Sequence, residues 1–418
     1  MAPVELLIAG GGSRGATFAG WAARHPERAR VVAVAEPRAD RREALADAHG
    51  VHPDLRFADW REAVATGGRV ADAAIVATLD REHTEPAIAL AEQGYALLIE
   101  KPLATEAECV AIAEATERAG VVAAVAHVLR YTPYTQLVRR LLDEGAVGEV
   151  VSVEHLEPVG FFHHAHSYVR GNWRREDEAG PMLLAKCCHD FDWLSHVVGR
   201  PAVAVSSFGS LSRLRPEHRP DGAADRCLDC AIEPGCAYSA RKIYLEPAER
   251  GETGWPIDVV AWPPTPEHVE AALRDGPYGR CVWACDNDVV DHQVLAMEYD
   301  GGVTATLTMT AFTRMRARET RIFGTAGELY GDGSAIEVYD FATRETIRHE
   351  VPEEQVTSKH GGGDYGAIDG FVAAVAARDP ALVPTAPAET LASHKVVFAA
   401  ERARREGRVV ALSSTAAG

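Results

Sequence analysis

From residue 4 to residue 126 the apolar positions follow one rhythm: a short solid run, then a stretch where apolar residues return every three or four places. The runs at 4–9, 31–35, 73–77, 96–99 and 121–126 read as strands, and the stretches at 16–23, 41–49, 84–93 and 106–119 read as helices. Strands that are apolar on both faces and alternate with helices predict a parallel sheet wrapped by helices. After His127 the rhythm changes. Segment 135–144 predicts a helix, 150–157 a strand and 182–198 a helix, and strands follow at 203–209, 289–299, 303–312, 318–324, 328–331 and 335–340. The later part therefore predicts an α+β unit with a mostly antiparallel open sheet. Stretches 215–223 and 245–266 are rich in proline and glycine and predict long surface or active-site loops, since no third core follows.

At 418 residues the chain has room for two domains, divided here as 1–127 and 128–418. Hydrophobic residues at 47% and charged residues at 25% exclude a disordered or fibrous protein. With 43 basic against 61 acidic residues the net charge is −18, which opposes a sequence-independent grip on nucleic acid. No apolar stretch approaches a membrane span and Met1 to Gly12 carry no basic leader, so a cytoplasmic enzyme is expected.

The run at 4–9 enters Gly10-Gly11-Gly12-Ser13-Arg14-Gly15, which fits G-x-G-x-x-G between a strand and a helix. In that context Gly10 permits the tight turn, Gly12 lets backbone approach a pyrophosphate, and Gly15 lets the helix pack closely, with Ser13 and Arg14 at the helix start. The first unit thus reads as a Rossmann dinucleotide-binding domain. Glu36 ends the second strand, where a carboxylate accepts from ribose hydroxyls and repels a 2′-phosphate, favouring NAD over NADP. Arg38, Arg41 and Arg42 close by are the feature that would instead hold the phosphate.

Past the fourth strand stands Ile99-Glu100-Lys101-Pro102. With the glycine turn and the α+β second half, it resembles the Gfo/Idh/MocA family of nicotinamide-dependent oxidoreductases over essentially the whole chain. The resemblance implies that Lys101 lies at the nicotinamide and the substrate hydroxyl, and that Thr78, His83 and Glu100 border the cofactor. It also brings Arg130 and Tyr131 near the cleft, as a hinge or as substrate contacts. The helix 182–198 aligns Lys186, His189, Asp190 and Trp193 on one side. His189 matches the family's catalytic histidine, whereas the family's Asp position holds Ala185. The candidate acid/base group is therefore Lys101 with His189, assisted by Lys186 or Asp190.

The loop upstream gathers His163, His166, Tyr168, Arg170, Asn172 and Trp173, a mixture suited to a polyhydroxylated or anionic substrate. Cys227, Cys230 and Cys236 lie within ten residues, and Cys281 or Cys285 offers a fourth thiol, the pattern of a structural zinc site. Free cysteines, a disulfide and an iron–sulfur cluster are the rival readings. The function read from the sequence is NAD-dependent removal of hydride from a secondary hydroxyl of a sugar, sugar acid or cyclitol. Two alternatives use the same residues: a redox-neutral NAD-dependent glycoside hydrolase, and a non-catalytic NAD and sugar sensor. The resemblance also implies a homo-dimer or homo-tetramer built through the second-domain sheet.

Overall fold

In a computed structural model that describes residues 2–103, 105–352, 356, 358 and 360–412, six strands make the first sheet. They are β1 (Val4–Ala9), β2 (Ala29–Ala35), β3 (Arg56–Phe57), β4 (Ala73–Val76), β5 (Ala96–Ile99) and β6 (Ala123–Val125). All pairs are parallel, in the order β3-β2-β1-β4-β5-β6. Every residue of β4, β5 and β6 is buried, because helices cover both faces of the sheet. The order reverses at β1, so the carboxyl ends of β1 and β4 open a crevice where this architecture holds its ligands.

The second sheet has nine strands: β7 (Val150–Pro158), β8 (Ala202–Ser210), β9 (His292–Tyr299), β10 (Thr304–Thr310), β11 (Glu319–Gly324), β12 (Gly327–Gly331), β13 (Ala335–Asp340), β14 (Thr346–Glu350) and β15 (Val410–Ala411). Their order is β14-β13-β12-β11-β7-β10-β9-β8-β15, antiparallel except where β10 runs parallel to β7. Burial alternates along β9 and β10, so one face packs on helices and the other lies open. Val151, Phe208 and Val294 are exposed, and Phe208 stands opposite Val294 across the β8–β9 pair. The helix Pro387–Glu406 lies against β8 and against the helices Glu106–Ala119 and Cys188–Val198, so it joins the two units. No described helix is long and apolar enough to cross a membrane.

Three features depart from the sequence reading. The helix Gly363–Ala377, assigned by sequence to the second unit, packs Ile368 and Phe371 into the first unit's core. Val125 N–H donates to the Thr385 carbonyl at 2.7 Å beside it. The predicted helix 182–198 is a π-helix at Leu183–Cys187 followed by an α-helix at Cys188–Val198. The expectation that no third core exists is also corrected: Tyr244, Leu245, Ile257, Val269 and Leu273 form a small separate apolar cluster within the insertion between β8 and β9.

Candidate active site

The glycine turn has the shape of a phosphate cradle. Gly10 has φ +102°, and a Cβ there would lie 2.3 Å from the Ala77 carbonyl oxygen; one on Gly15 would lie 2.0 Å from the Gly10 oxygen. Side chains are excluded from both positions, so the helix Ser13–Arg24 starts directly under the turn with its amide dipole aimed outward. Gly12 is open: a Cβ would meet only the Arg41 Nη1, at 3.8 Å. Glu36 is buried and accepts from the Gly11 N–H at 2.7 Å and the Arg38 N–H at 2.9 Å, which fixes its carboxylate beside the turn. Arg42 donates to the Glu36 carbonyl and Arg38 pairs with Asp40. The cradle and the fixed carboxylate fit NAD.

From the turn a chain of polar contacts leads to the reacting centre. Arg14 donates to Glu100 at 2.6 Å and to Asp364 at 2.9 Å. Glu100 in turn accepts the Lys101 backbone N–H at 3.0 Å. The Lys101–Pro102 peptide is cis. Lys101 Nζ donates to the Ala185 carbonyl at 3.0 Å, so the residue standing at the family's Asp position serves through its backbone. His189, four residues further on, is buried, and its Nδ1 has no hydrogen-bond partner. Burial, then the Lys101 charge, pushes its imidazole well below the ordinary histidine range, so the ring is neutral and able to accept a proton. The His127 and His360 rings flank it, with centroids 5.7 and 6.1 Å away, and His360 bonds Asp364 at 3.0 Å.

Lys186 and Asp190 occupy different surroundings. Lys186 Nζ lies 3.5 Å from Glu157. Asp190 is fully buried and bonds His155 at 3.0 Å and the Arg318 guanidinium. Burial alone would raise its carboxyl, but Arg318 and His155 outweigh that and hold it below the ordinary range. Asp190 therefore anchors the helix to the sheet, which corrects its assignment as an assisting catalytic group.

The cofactor-side loop after β4 is held from within: His83 faces the Pro102 carbonyl at 2.9 Å and the Thr78 carbonyl at 3.2 Å, and Thr78 donates to Glu82. Both residues thus shape the loop through one another. Asp80, in the same loop, accepts from Trp173 Nε1 at 2.7 Å and lies within electrostatic reach of Lys101. Burial raises its carboxyl.

The eight predicted substrate contacts divide. His163, beside Lys186, with Tyr168 and Trp173, faces the region around the reacting centre. Asn172 is exposed. Arg130 grips Asp192 with two bonds of 2.7 Å and donates to the Pro384 carbonyl, and Tyr131 bonds Thr385, so both belong to the hinge. His166 is spent on Tyr244 and stacks on Tyr278 in the insertion. Arg170 is buried between the carbonyls of Arg280 and Tyr238. In all four the polar head already has a partner within the fold.

Sequence reasoning passed over Asp80 and Trp255, whereas the segment from His360 to Tyr365, Asp364 included, resembles a family segment near the active site. Asp80 had a signal, its position just past the carboxyl end of β4. His360 and Asp364 join the site only through the helix that returns to the first core. Trp255, 5.0 Å from the His163 ring, comes from the irregular insertion, where no periodicity points to it. Among the described residues no group of three or more His, Cys, Asp or Glu side chains stands close enough to hold a metal, so the thiols are not a formed zinc centre as they lie.

A dinucleotide cradle facing a lysine and a neutral histidine defines a nicotinamide-dependent oxidoreductase. The chain belongs to the Gfo/Idh/MocA oxidoreductase family: residues 4–127 match its NAD-binding Rossmann fold and residues 139–412 its C-terminal alpha/beta domain. It is 24% identical over 319 residues to the oxidoreductase YteT of Bacillus subtilis, covering 70% of each chain. It is 30% identical over 142 residues to 2,7-anhydro-N-acetylneuraminate hydratase of Escherichia coli, covering 34% of this chain and 37% of that one. Levoglucosan dehydrogenase, solved with NADH and levoglucosan, has the same fold, with a TM-score of 0.71 at 18% identity, covering 98% of this chain and 99% of that one.

Proposed function

We propose that the protein is an NAD-dependent oxidoreductase that removes hydride from a secondary hydroxyl of a sugar, sugar acid or cyclitol. One observation carries the reading: Lys101 Nζ is tied at 3.0 Å to the Ala185 carbonyl, four residues before the buried, neutral His189. A secondary alcohol needs a proton acceptor on its hydroxyl and a donor to the oxygen as it becomes a carbonyl. His189 takes the hydroxyl proton on an imidazole nitrogen, and Lys101 donates a hydrogen bond to the same oxygen. NAD, when bound, supplies the hydride acceptor. Tyr168, Trp255 and His163 offer aromatic surface and polar edges to a polyhydroxylated ring.

A second reading draws support from the hydratase relative. In that reading NAD would take hydride from the sugar while the same pair handles the hydroxyl proton; elimination at the carbon acidified by the new carbonyl releases the leaving group, water adds across the resulting double bond, and the hydride returns, so no reduced cofactor builds up. The test is purified enzyme with NAD, and in parallel NADP, against sugars, cyclitols, glycosides and anhydro-sugars, following nicotinamide absorbance and product together. Reduced cofactor equal to the substrate consumed is expected, with NAD preferred because of Glu36. Product without net reduction supports the second reading, and neither event with any substrate class overturns both and favours a sensor. Self-association through the open face bearing Val151, Phe208 and Val294 belongs to the same proposal, and light scattering on that preparation reads the copy number.

A further inference from the structure

The insertion between β8 and β9 brings together residues distant in sequence. Cys227, Cys230, Cys236 and Cys281 all line one small cavity, with Arg170 and Tyr238 completing part of its wall. Its volume is about 20 Å³, room for a single atom-sized guest. Three separate pieces of chain supply the thiols. Cys227 and Cys230 bracket a 3₁₀ turn, Cys236 follows a second 3₁₀ turn at Glu233–Gly235, and Cys281 is fixed by its N–H donating to the Asp225 carbonyl at 2.8 Å. Cys285 is elsewhere, packed against Val282 and Leu214, with its thiol on the Cys281 carbonyl.

Arg170 supplies a second, independent observation. It is 1% exposed, and its partners are two carbonyls, at 2.8 Å each, the Tyr244 hydroxyl and the Cys227 sulfur at 3.4 Å. Its Nη1 is buried and meets no acceptor at hydrogen-bonding geometry. A buried guanidinium among neutral neighbours is costly unless negative charge stands beside it. Four neutral thiols do not provide that charge, and four thiolates around a divalent cation do, because the set keeps two negative charges.

We propose that this cavity is a tetrathiolate zinc site made by Cys227, Cys230, Cys236 and Cys281, with Arg170 as its buried counter-charge. Binding exchanges four S–H bonds for four Zn–S bonds and releases four protons to solvent, with no oxidation or reduction. As they lie, the thiols surround the cavity without closing on a centre, and ligation at the usual Zn–S length of about 2.3 Å turns each of them inward. A closed four-thiolate set leaves no open position, so its role is structural. The need is local: the insertion has a small apolar cluster, short helical turns and one ten-residue helix, Pro266–Asp275, of its own, and such small units commonly depend on a staple. The site also holds one end of the 165–170 turn, whose His163 and Tyr168 neighbourhood contributes to the candidate substrate region.

The test is elemental analysis of the full-length protein purified without chelator, beside cobalt exchange of the same protein. About one zinc per chain is expected in the wild type and in Cys285→Ser, falling to less than about a tenth in Cys236→Ser and Cys281→Ser. NAD binding in each variant reports whether the first unit is intact. The cobalt form is expected to show tetrahedral d–d bands and thiolate-to-cobalt charge transfer, which needs no variant to fold. Wild-type protein that is reduced, incubated with zinc, desalted and left with less than about a tenth of an equivalent overturns the proposal. So does a disulfide among the four thiols in non-reduced protein, stoichiometric iron with sulfide in place of zinc, or loss of zinc in Cys285→Ser.

Discussion

His189, proposed as the proton acceptor, shows how surroundings set the state of a side chain. Burial and the nearby Lys101 charge hold its ring below the ordinary histidine range, so it is unprotonated in neutral solution. His189→Ala and Lys101→Ala are each expected to lower kcat by about 10²–10⁴-fold, the usual weight of a positioned acid/base group. Circular dichroism on the same preparations checks the fold, and turnover within about twofold of wild type in both would remove them from the chemistry. Because the pKa is lowered, kcat/KM is expected to stay level on going down through pH 6.5, where an unperturbed histidine would already be gaining its proton. A pH–rate profile that falls with a midpoint near about 6.5 contradicts a buried neutral base.

At the scale of elements, the segment 128–131 and the helix Cys188–Val198 are joined by Arg130 and Asp192, whose side chains are 8% and 0% exposed. Arg130→Met leaves a buried carboxylate without its partner and is expected to cost about 3–5 kcal/mol in urea unfolding, with KM for the substrate changed by less than about twofold. A large KM change with intact stability would return Arg130 to the substrate. Strands β1, β4 and β5 were legible in the sequence because a doubly covered parallel strand is a short solid apolar run, here alternating with amphipathic helical stretches. The reacting helix was legible in place but not in register, since a 3.6-residue period carries no sign of the π-turn at Leu183–Cys187. Arg130, His166 and Arg170 looked like binding groups because a polar residue's buried partner lies far away in sequence. The glycine turn needed no such partner, being local, and it read through directly. The insertion was the least legible part, its short turns interrupted by proline and its two further cis peptides, Trp255–Pro256 and Trp262–Pro263, invisible to pattern.

The whole molecule carries a net charge of −18 but keeps several histidines in its interior. Burial pushes His164 down to about 4, and His166 and His394 to about 3. An unfolded chain protonates these rings near pH 6.5 while the folded one does not, so the unfolded state binds more protons and stability falls as pH falls. Each ring contributes a slope of about 1.4 kcal/mol per pH unit between about 6 and its folded value. Easing of repulsion among exposed carboxylates acts in the opposite direction but is screened by salt. The midpoint of thermal unfolding is therefore expected to drop steadily from pH 7 to pH 5, and a flat or rising midpoint over that interval would contradict the neutral burial of these rings. The helix Gly363–Ala377 adds a constraint of another kind, because it completes the apolar core of the NAD-binding unit from the far end of the polypeptide. During synthesis the first unit emerges early yet cannot bury that surface until this helix has cleared the ribosome. The earlier unit thus waits on a helix far downstream in the chain before its apolar surface is covered, and the nascent segment must be sheltered in the interval.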